Sequence, residues 1–238
     1  MKKIILTGHS KGLGKALASA LVAEGCEVLG ISRSRADEEH GLQQVTLDLS
    51  DMDALRQWLE SRVLRSFLEG AEQAILINNS GVVSPVGALG TLANEDIVRS
   101  IELNVAAPLV LSNAFTEQTA GVPDRRILHI SSGAGRRGMA GWSVYCATKA
   151  ALDNHARAVH EDGVQGLSIS SLAPGIVDTG MQADIRSCSA EQFPQVYDFR
   201  NFKEGGDLAS PEETAAKITR ILLSPGFGDS VIADVREF

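Results

Sequence analysis

Tyr145 and Lys149 stand four residues apart in Trp142-Ser143-Val144-Tyr145-Cys146-Ala147-Thr148-Lys149-Ala150-Ala151, a run without Gly or Pro. Such a run predicts a helix, and on a helix these two residues share one face, one turn apart. A free phenol has a pKa near ~10, and a neighbouring ammonium stabilises phenolate and lowers it. Bringing it to neutrality takes about 4 kcal/mol of differential stabilisation. A tyrosine tuned in that way exchanges a proton with an alcohol or a carbonyl at neutral pH. A lone Tyr-x-x-x-Lys is more often an ordinary surface pair, so its meaning depends on the rest of the chain.

A second group opens the chain. Thr7-Gly8-His9-Ser10-Lys11-Gly12-Leu13-Gly14 follows an apolar run and leads into a helical pattern. Glycines at 8, 12 and 14 let the backbone turn tightly and approach a pyrophosphate, whose charge suits a helix N-terminus. The spacing is GxxxGxG rather than the GxGxxG of the standard dinucleotide fingerprint. Strand, turn and helix in that order nonetheless predict nucleotide binding, with Gly8, Ser10, Lys11, Gly12, Leu13 and Gly14 at the cofactor. His9 adds a phosphate contact or faces solvent.

An NAD site places Asp or Glu at the end of the second strand, on the ribose 2′-hydroxyl. Here that stretch reads Gly30-Ile31-Ser32-Arg33-Ser34-Arg35, with no carboxylate before Asp37. Arg33, together with Lys11, would instead pair with a 2′-phosphate, so the expected cofactor is NADP(H). Asp48, followed by Leu49, either accepts a bond from the adenine amino group or is a plain turn residue. Asn78-Asn79-Ser80-Gly81 follows the fourth apolar run, where an open parallel sheet has its ligand crevice. Asn79, Ser80 and Gly81 are expected at the cofactor, although turn chemistry alone also accounts for Asn and Gly there.

The elements that must position these groups alternate. Short apolar runs at 3–6, 27–32, 44–47, 74–78, 126–131, 167–172 and 231–234 predict strands. Helical patterns fall at 13–24, 51–68, 93–118, 143–161 and 211–223. That order predicts an α/β fold, a parallel sheet covered by helices on both faces. No repeat or linker divides residues 1–238, which read as one domain. Residues 178–210 are too long for a simple connection and hold Phe193, Tyr197, Phe199 and Phe202. They read as a substrate lid, with a dimer contact or a loose helical excursion as the alternative.

Composition bounds the partners. The hydrophobic fraction of 44% and charged fraction of 22% are ordinary for a globular protein. A net charge of −8 argues against nucleic acid and anionic membranes. No apolar run approaches the ~18 residues of a membrane span, and Ile4-Ile5-Leu6 is too short for a signal peptide. Cys26, Cys146 and Cys188 make no disulfide framework or CxxC motif, so a cytoplasmic location is expected. The five histidines offer no metal-ligand spacing.

Taken together, these residues resemble the short-chain dehydrogenase/reductase family in its compact branch. The resemblance runs through essentially the whole chain, in order. It rests on the TGxxxGxG loop, the Asn-Asn-x-Gly stretch, Asn104, Ser132, Tyr145-x-x-x-Lys149 and Pro174-Gly175-x-Val177-x-Thr179. It implies a Rossmann-type doubly wound sheet of seven parallel strands, with the active site at its carboxyl ends. By the same resemblance Tyr145 is the general acid that protonates a carbonyl oxygen as hydride arrives. Lys149 lowers its pKa and bonds the nicotinamide ribose. Ser132 holds the carbonyl oxygen, and Asn104 anchors a water in the proton relay. Pro174, Gly175 and Val177 would lie at the nicotinamide carboxamide and Thr179 by the pyrophosphate, while Ser131 would be structural.

Within the family the chain is similar to sepiapterin reductases and the bacterial benzil reductases allied to them. The carrying stretches are Gly141-Trp142-Ser143-x-Tyr145-Cys146, Asp178-Thr179-Gly180-Met181-Gln182-Ala183-x-Ile185-Arg186-Ser187, and the ending Val231 to Phe238. That resemblance implies that Asp234 anchors a pterin amino group; an end-of-strand Asp facing water is the alternative. Trp142 and Met181 form an apolar wall for an aromatic diketone or pack in the core. His9 and Ser80 each replace a more usual Ala.

The expected function is therefore NADPH-dependent reduction of a vicinal dicarbonyl, benzil-like or a pterin side chain. The partner is a small carbonyl substrate, and the resemblance implies a homodimer, with a tetramer as the alternative. A catalytically idle NADP(H)-sensing regulator is the alternative, although such relatives lack Tyr, Lys or Ser. A sugar-nucleotide epimerase would carry a GxxGxxG loop and a larger substrate region.

Overall fold

Ile4 and Leu6 face one side of the first strand, β1 (Lys2–Thr7), and Ile5 faces the other. Both sides are buried, as expected of a strand covered on two faces. The computed structural model describes residues 1–238. The further strands are β2 (Glu27–Ser32), β3 (Leu42–Thr46), β4 (Gln73–Asn78), β5 (Asp124–Ile130), β6 (Leu167–Ala173) and β7 (Ile232–Asp234). Every pairing is parallel, in the order β3-β2-β1-β4-β5-β6-β7. From β1 the chain runs outward through β2 and β3, then returns to place β4 on the other side of β1. That reversal opens a crevice at the carboxyl ends of β1 and β4.

Nine helices surround the sheet. On one face, α1 (Gly12–Ala23) and α9 (Pro211–Leu223) set Leu17, Leu21, Ile218 and Leu222 against Ile4 and Leu6. On the other lie α2 (Met52–Glu60), α3 (Val63–Leu68), α4 (Asn94–Ile101), α5 (Ala107–Gln118) and α6 (Ser143–Glu161). There Leu55, Leu64, Phe67, Leu111, Phe115 and Ala156 join Ile5 and Leu76. No helix is long and apolar enough to cross a membrane.

Two expected helices are interrupted. The pattern at 51–68 divides at Ser61, whose backbone is extended (φ −68°, ψ 164°). Its hydroxyl donates to the Trp58 carbonyl at 2.5 Å, a local bond that competes with the helical ladder. The pattern at 93–118 contains a π-helical turn over Glu102–Ala106. Pro108 lies near its end and has no N–H to give to Asn104, four residues earlier.

Residues 178–210 are not a loose loop. They carry α7 (Gly180–Ser187) and α8 (Val196–Glu204). A single bridge between Val177 and Ala209 closes the base of this excursion. It is reinforced by Asp178 N–H to the Ala209 carbonyl and Ala209 N–H to the Ile176 carbonyl, both 3.0 Å. The excursion builds a third apolar cluster of Val83, Ala134, Trp142, Tyr145, Ile185, Phe193 and Val196 over the crevice.

Candidate active site

Tyr145 and Lys149 lie on the inward face of α6, only 6% and 4% exposed. The Lys149 ammonium stands 5.7 Å from the Tyr145 ring centroid and donates to the Ile130 carbonyl at the end of β5, at 2.8 Å. Ser132, two residues beyond that strand, starts a short 3-10 turn, and its Oγ accepts from Ala134 N–H at 3.2 Å. Tyr145, Lys149 and Ser132 all line the crevice. Ser131 instead turns into the core, where its hydroxyl donates to Asp153 Oδ1 at 2.6 Å. Ser171 donates to the same oxygen at 2.7 Å.

Asn104 takes a different place. It sits in the π-helical turn, fully buried, behind the residues that line the crevice. Its Oδ1 accepts from Val82 N–H at 2.9 Å and its Nδ2 donates to the Val82 carbonyl at 2.8 Å. Both ends of the amide are thus spent on holding the chain that follows β4. Through these bonds its side chain positions Gly81 and Val82.

Burial acts strongly on the phenol. Low dielectric penalises phenolate, and the Tyr145 pKa is pushed up to about 12, with a bond from Ser132 only partly opposing it. The same burial lowers Lys149 to about 8, opposed by the Asp153 carboxylate one turn further along α6. Burial thus favours the neutral phenol at Tyr145 and weakens the hold of Lys149 on its proton.

The glycine-rich turn forms a cradle. A side chain on Gly14 would begin 1.9 Å from the Gly8 carbonyl oxygen, so only glycine lets the helix start this close to the turn. Lys11 N-caps α1 without any side-chain bond, so the amides of its first turn remain free for an anion. Thr179 lies across this turn, its methyl 3.2 Å from where a Gly12 side chain would begin. The exposed side chains of Lys11 and Arg33 line the crevice beyond the cradle. These features fit a dinucleotide phosphate. Asp48 also lines the crevice. Burial raises its carboxyl, but bonds from the Ser50 hydroxyl and amide, with Arg33 and Arg99 nearby, outweigh this and hold it below the usual range. Leu49, Asn79, Ser80, Gly81, Pro174, Gly175 and Val177 line the same crevice.

His9 neither faces solvent nor lines the crevice. It is fully buried, with its ring against Gly30 of β2 and Nε2 bonded to Gln44 Oε1 at 2.9 Å. That oxygen also accepts from Ala36 N–H at 2.7 Å, so His9 braces the loop carrying Arg33.

The substrate wall grows from the third cluster. Trp142 stacks on Phe193 (centroids 4.4 Å, planes 8° apart) and meets Tyr145 edge-on at 5.3 Å. Met181 packs against this cluster and lines the crevice with Phe199 and Phe202, whereas Tyr197 points outward, 58% exposed. Asp234 reaches the crevice too, but both its oxygens are taken by the Arg236 guanidinium at 2.8 and 2.7 Å.

Residues 2–190 match the family described as short chain dehydrogenase. The chain belongs to that family. Across the full length of both chains, this short-chain dehydrogenase is 35% identical to a benzil reductase ((S)-benzoin forming) of Bacillus subtilis (strain 168). It is 32% identical to sepiapterin reductase of Meriones unguiculatus, covering 97% of this chain and 94% of that one. A crystal structure of a short-chain dehydrogenase/reductase from Burkholderia vietnamiensis is 42% identical, with a TM-score of 0.72 over 100% of this chain and 98% of that one. The family is one of oxidoreductases that use nicotinamide dinucleotides.

Sequence reasoning missed several residues of this short-chain dehydrogenase that line its crevice. Gln182, Gln195, Arg137 and Arg236 are all there. A three-residue step from Gln182 to the buried Ile185 of α7 was the one available signal for Gln182. Nothing local marked the others, which arrive through loops and the last turn.

Proposed function

We propose that this short-chain dehydrogenase is an NADPH-dependent carbonyl reductase acting on a vicinal dicarbonyl. The observation that carries this reading is the buried Tyr145 phenol beside Ser132 in a crevice walled on one side by Trp142, Met181 and Phe199. When bound, the dinucleotide supplies hydride. Tyr145 Oη gives its proton to the carbonyl oxygen, and the Ser132 hydroxyl donates a hydrogen bond to that oxygen as charge develops. Lys149, cationic below pH about 8, favours the phenolate left behind.

Several features support the finer points. Lys11 and Arg33 meet no carboxylate in an ion pair, and the end of β2 supplies none for a ribose hydroxyl, which favours NADPH. The full-length likeness to benzil reductase favours adjacent carbonyls, each of which withdraws electrons from the other and so eases hydride attack. The Arg236 bonds on Asp234 favour an aromatic diketone over a pterin amino group. Residues 178–210 act as the lid over this pocket, packing Ile185, Phe193 and Val196 against Trp142 and Tyr145.

The test is NADPH consumption with benzil and with sepiapterin, in wild type and Asp234→Ala. We expect benzil turnover that the substitution leaves unimpaired. Sepiapterin turnover that collapses in the variant would restore the pterin reading. Reduction of no dicarbonyl with either nucleotide would refute both.

A further inference from the structure

Asp153 lies on the inward face of α6, one turn beyond Lys149 and two beyond Tyr145, and is only 2% exposed. A buried carboxylate is rare unless something pairs with it, and the proton transfer from Tyr145 does not touch this one. Its Oδ1 accepts from the hydroxyls of Ser131, at 2.6 Å, and of Ser171 on β6, at 2.7 Å. Its Oδ2 receives no hydrogen bond, and the Arg136 guanidinium stands 3.7 Å from it. Ser131 sits between two residues that the chemistry needs. Ile130 before it offers the carbonyl that receives the Lys149 ammonium at 2.8 Å, and Ser132 after it lines the crevice with extended backbone (φ −160°, ψ 155°). Successive residues of an extended chain point to opposite sides, so a bond that ties Ser131 inward turns Ser132 outward.

We propose that Asp153 is a positioning residue for the reduction: through Oδ1 it fixes Ser131, and with it the Ile130 carbonyl and Ser132, and through its charge it holds the proton on Lys149. The proposal rests on the reductase reading and adds a residue to that site. Burial lowers Lys149 to about 8, and Asp153 opposes this, as an anion one helical turn away must. The other titratable groups around the pair come from several elements. Tyr145 shares α6, and Arg136 follows the turn after Ser132 and also bonds the Ala233 carbonyl of β7 at 2.5 Å. His129 of β5 is held at about 3 by burial, with His155 and Lys149 adding to it, so it carries no charge at neutral pH. Asp234 of β7 feels Arg136 as well but is bonded to Arg236. Asp153 is thus the anion aligned with Lys149 on its own helix face, and Arg136 is the cation that competes for it.

The test uses Asp153→Asn and Arg136→Met. The first removes the charge alone, because an amide oxygen still accepts both serine hydroxyls; the second removes the competing cation. Two midpoints are read against pH. One is the alkaline limb of kcat/KM for benzil with NADPH. The other is the titration of Lys149 itself, followed by NMR of the full chain with labelled lysine side-chain carbons, its signal identified by its loss in Lys149→Met. We expect Asp153→Asn to move both midpoints down by roughly one pH unit. Arg136→Met should move them up, and by less, because its side chain is 31% exposed and water screens its charge. A merely structural role lowers activity at every pH and leaves both midpoints in place, and that result overturns the proposal. Midpoints that move the same way in the two variants also overturn it. If the Lys149 titration moves as expected while wild type reduces no diketone, the reductase reading fails and the pairing of Asp153 with Lys149 stands. Should Asp153→Asn not fold, Asp153→Ser, which keeps a hydroxyl for the two serines, is read in its place against the same outcomes.

Discussion

The Lys149 ammonium is fastened to the Ile130 carbonyl at 2.8 Å while it stands 5.7 Å from the centroid of the Tyr145 ring. Helical spacing brings the two residues onto one face, but β5 decides where the charge points. Burial raises the phenol's pKa to about 12 and lowers the ammonium's to about 8.

Carbonyl reduction should therefore lose efficiency as pH rises through about 8, where Lys149 gives up its proton. Tyr145, pushed up to about 12, stays protonated across that interval and adds no second limb. A profile of kcat/KM against pH reads this directly, and a flat alkaline limb to pH 10 would contradict it.

The same burial costs stability. Lys149 falls from 10.5 to about 8, which corresponds to up to about 3 kcal/mol of unfavourable charge burial at neutral pH. Its folded pKa lies below its unfolded one, so between these values the unfolded chain holds more protons and stability rises with pH. Lys149→Met should thus abolish most activity yet raise the midpoint of chemical denaturation at pH 7. That advantage should shrink as wild type recovers between pH 8 and 10.5. A variant less stable than wild type at pH 7 would sink this account.

Tyr145→Phe removes the proton donor and little else, because the ring still packs edge-on against Trp142 at 5.3 Å. Turnover should drop ~10²–10⁴-fold, with NADPH affinity within about a factor of three of wild type. Unchanged turnover would remove Tyr145 as the acid.

Arg33 stands exposed at the crevice, placed by the loop that His9 and Gln44 brace. Arg33→Ala should shrink the preference for NADPH over NADH roughly 10-fold through loss of a charge-assisted bond. The comparison of kcat/KM for the two nucleotides decides it, and an unaltered ratio would discard the phosphate contact.

Gly30 is the place where a single methyl should do most harm. Its side chain would begin 2.4 Å from the His9 ring, in a region where both residues are enclosed. Gly30→Ala should destabilise the fold by about 1–3 kcal/mol. Combining it with His9→Ala should recover part of that loss, as expected of residues in contact. Additive losses in urea denaturation would show that the two do not touch.

The parts legible beforehand share one property. Strand alternation, the GxxxGxG turn and the four-residue step from Tyr145 to Lys149 are all short-range patterns set by backbone geometry. They led to a parallel sheet, a nucleotide cradle and a Tyr–Lys pair on one helix face. The breaks at Ser61 and in the Glu102–Ala106 turn were less legible, because helix propensity over a window averages away one competing hydroxyl or one proline.

By itself, then, the sequence determined the order of elements and which residue types reach the carboxyl ends of the strands. Only the tertiary structure decided what those residues are there. His9 became a buried brace because Gly30, on the adjacent strand of the sheet, leaves room for its ring. Asp234 was claimed by Arg236, and Asn104 by Val82. The phenol was raised and the ammonium lowered because the fold buries both, the phenol within the third apolar cluster and the ammonium at the end of β5. Protonation and hydrogen-bond partnership depend on the local dielectric and on whichever distant groups the fold brings within about 3 Å, and neither quantity is a property of neighbours along the chain.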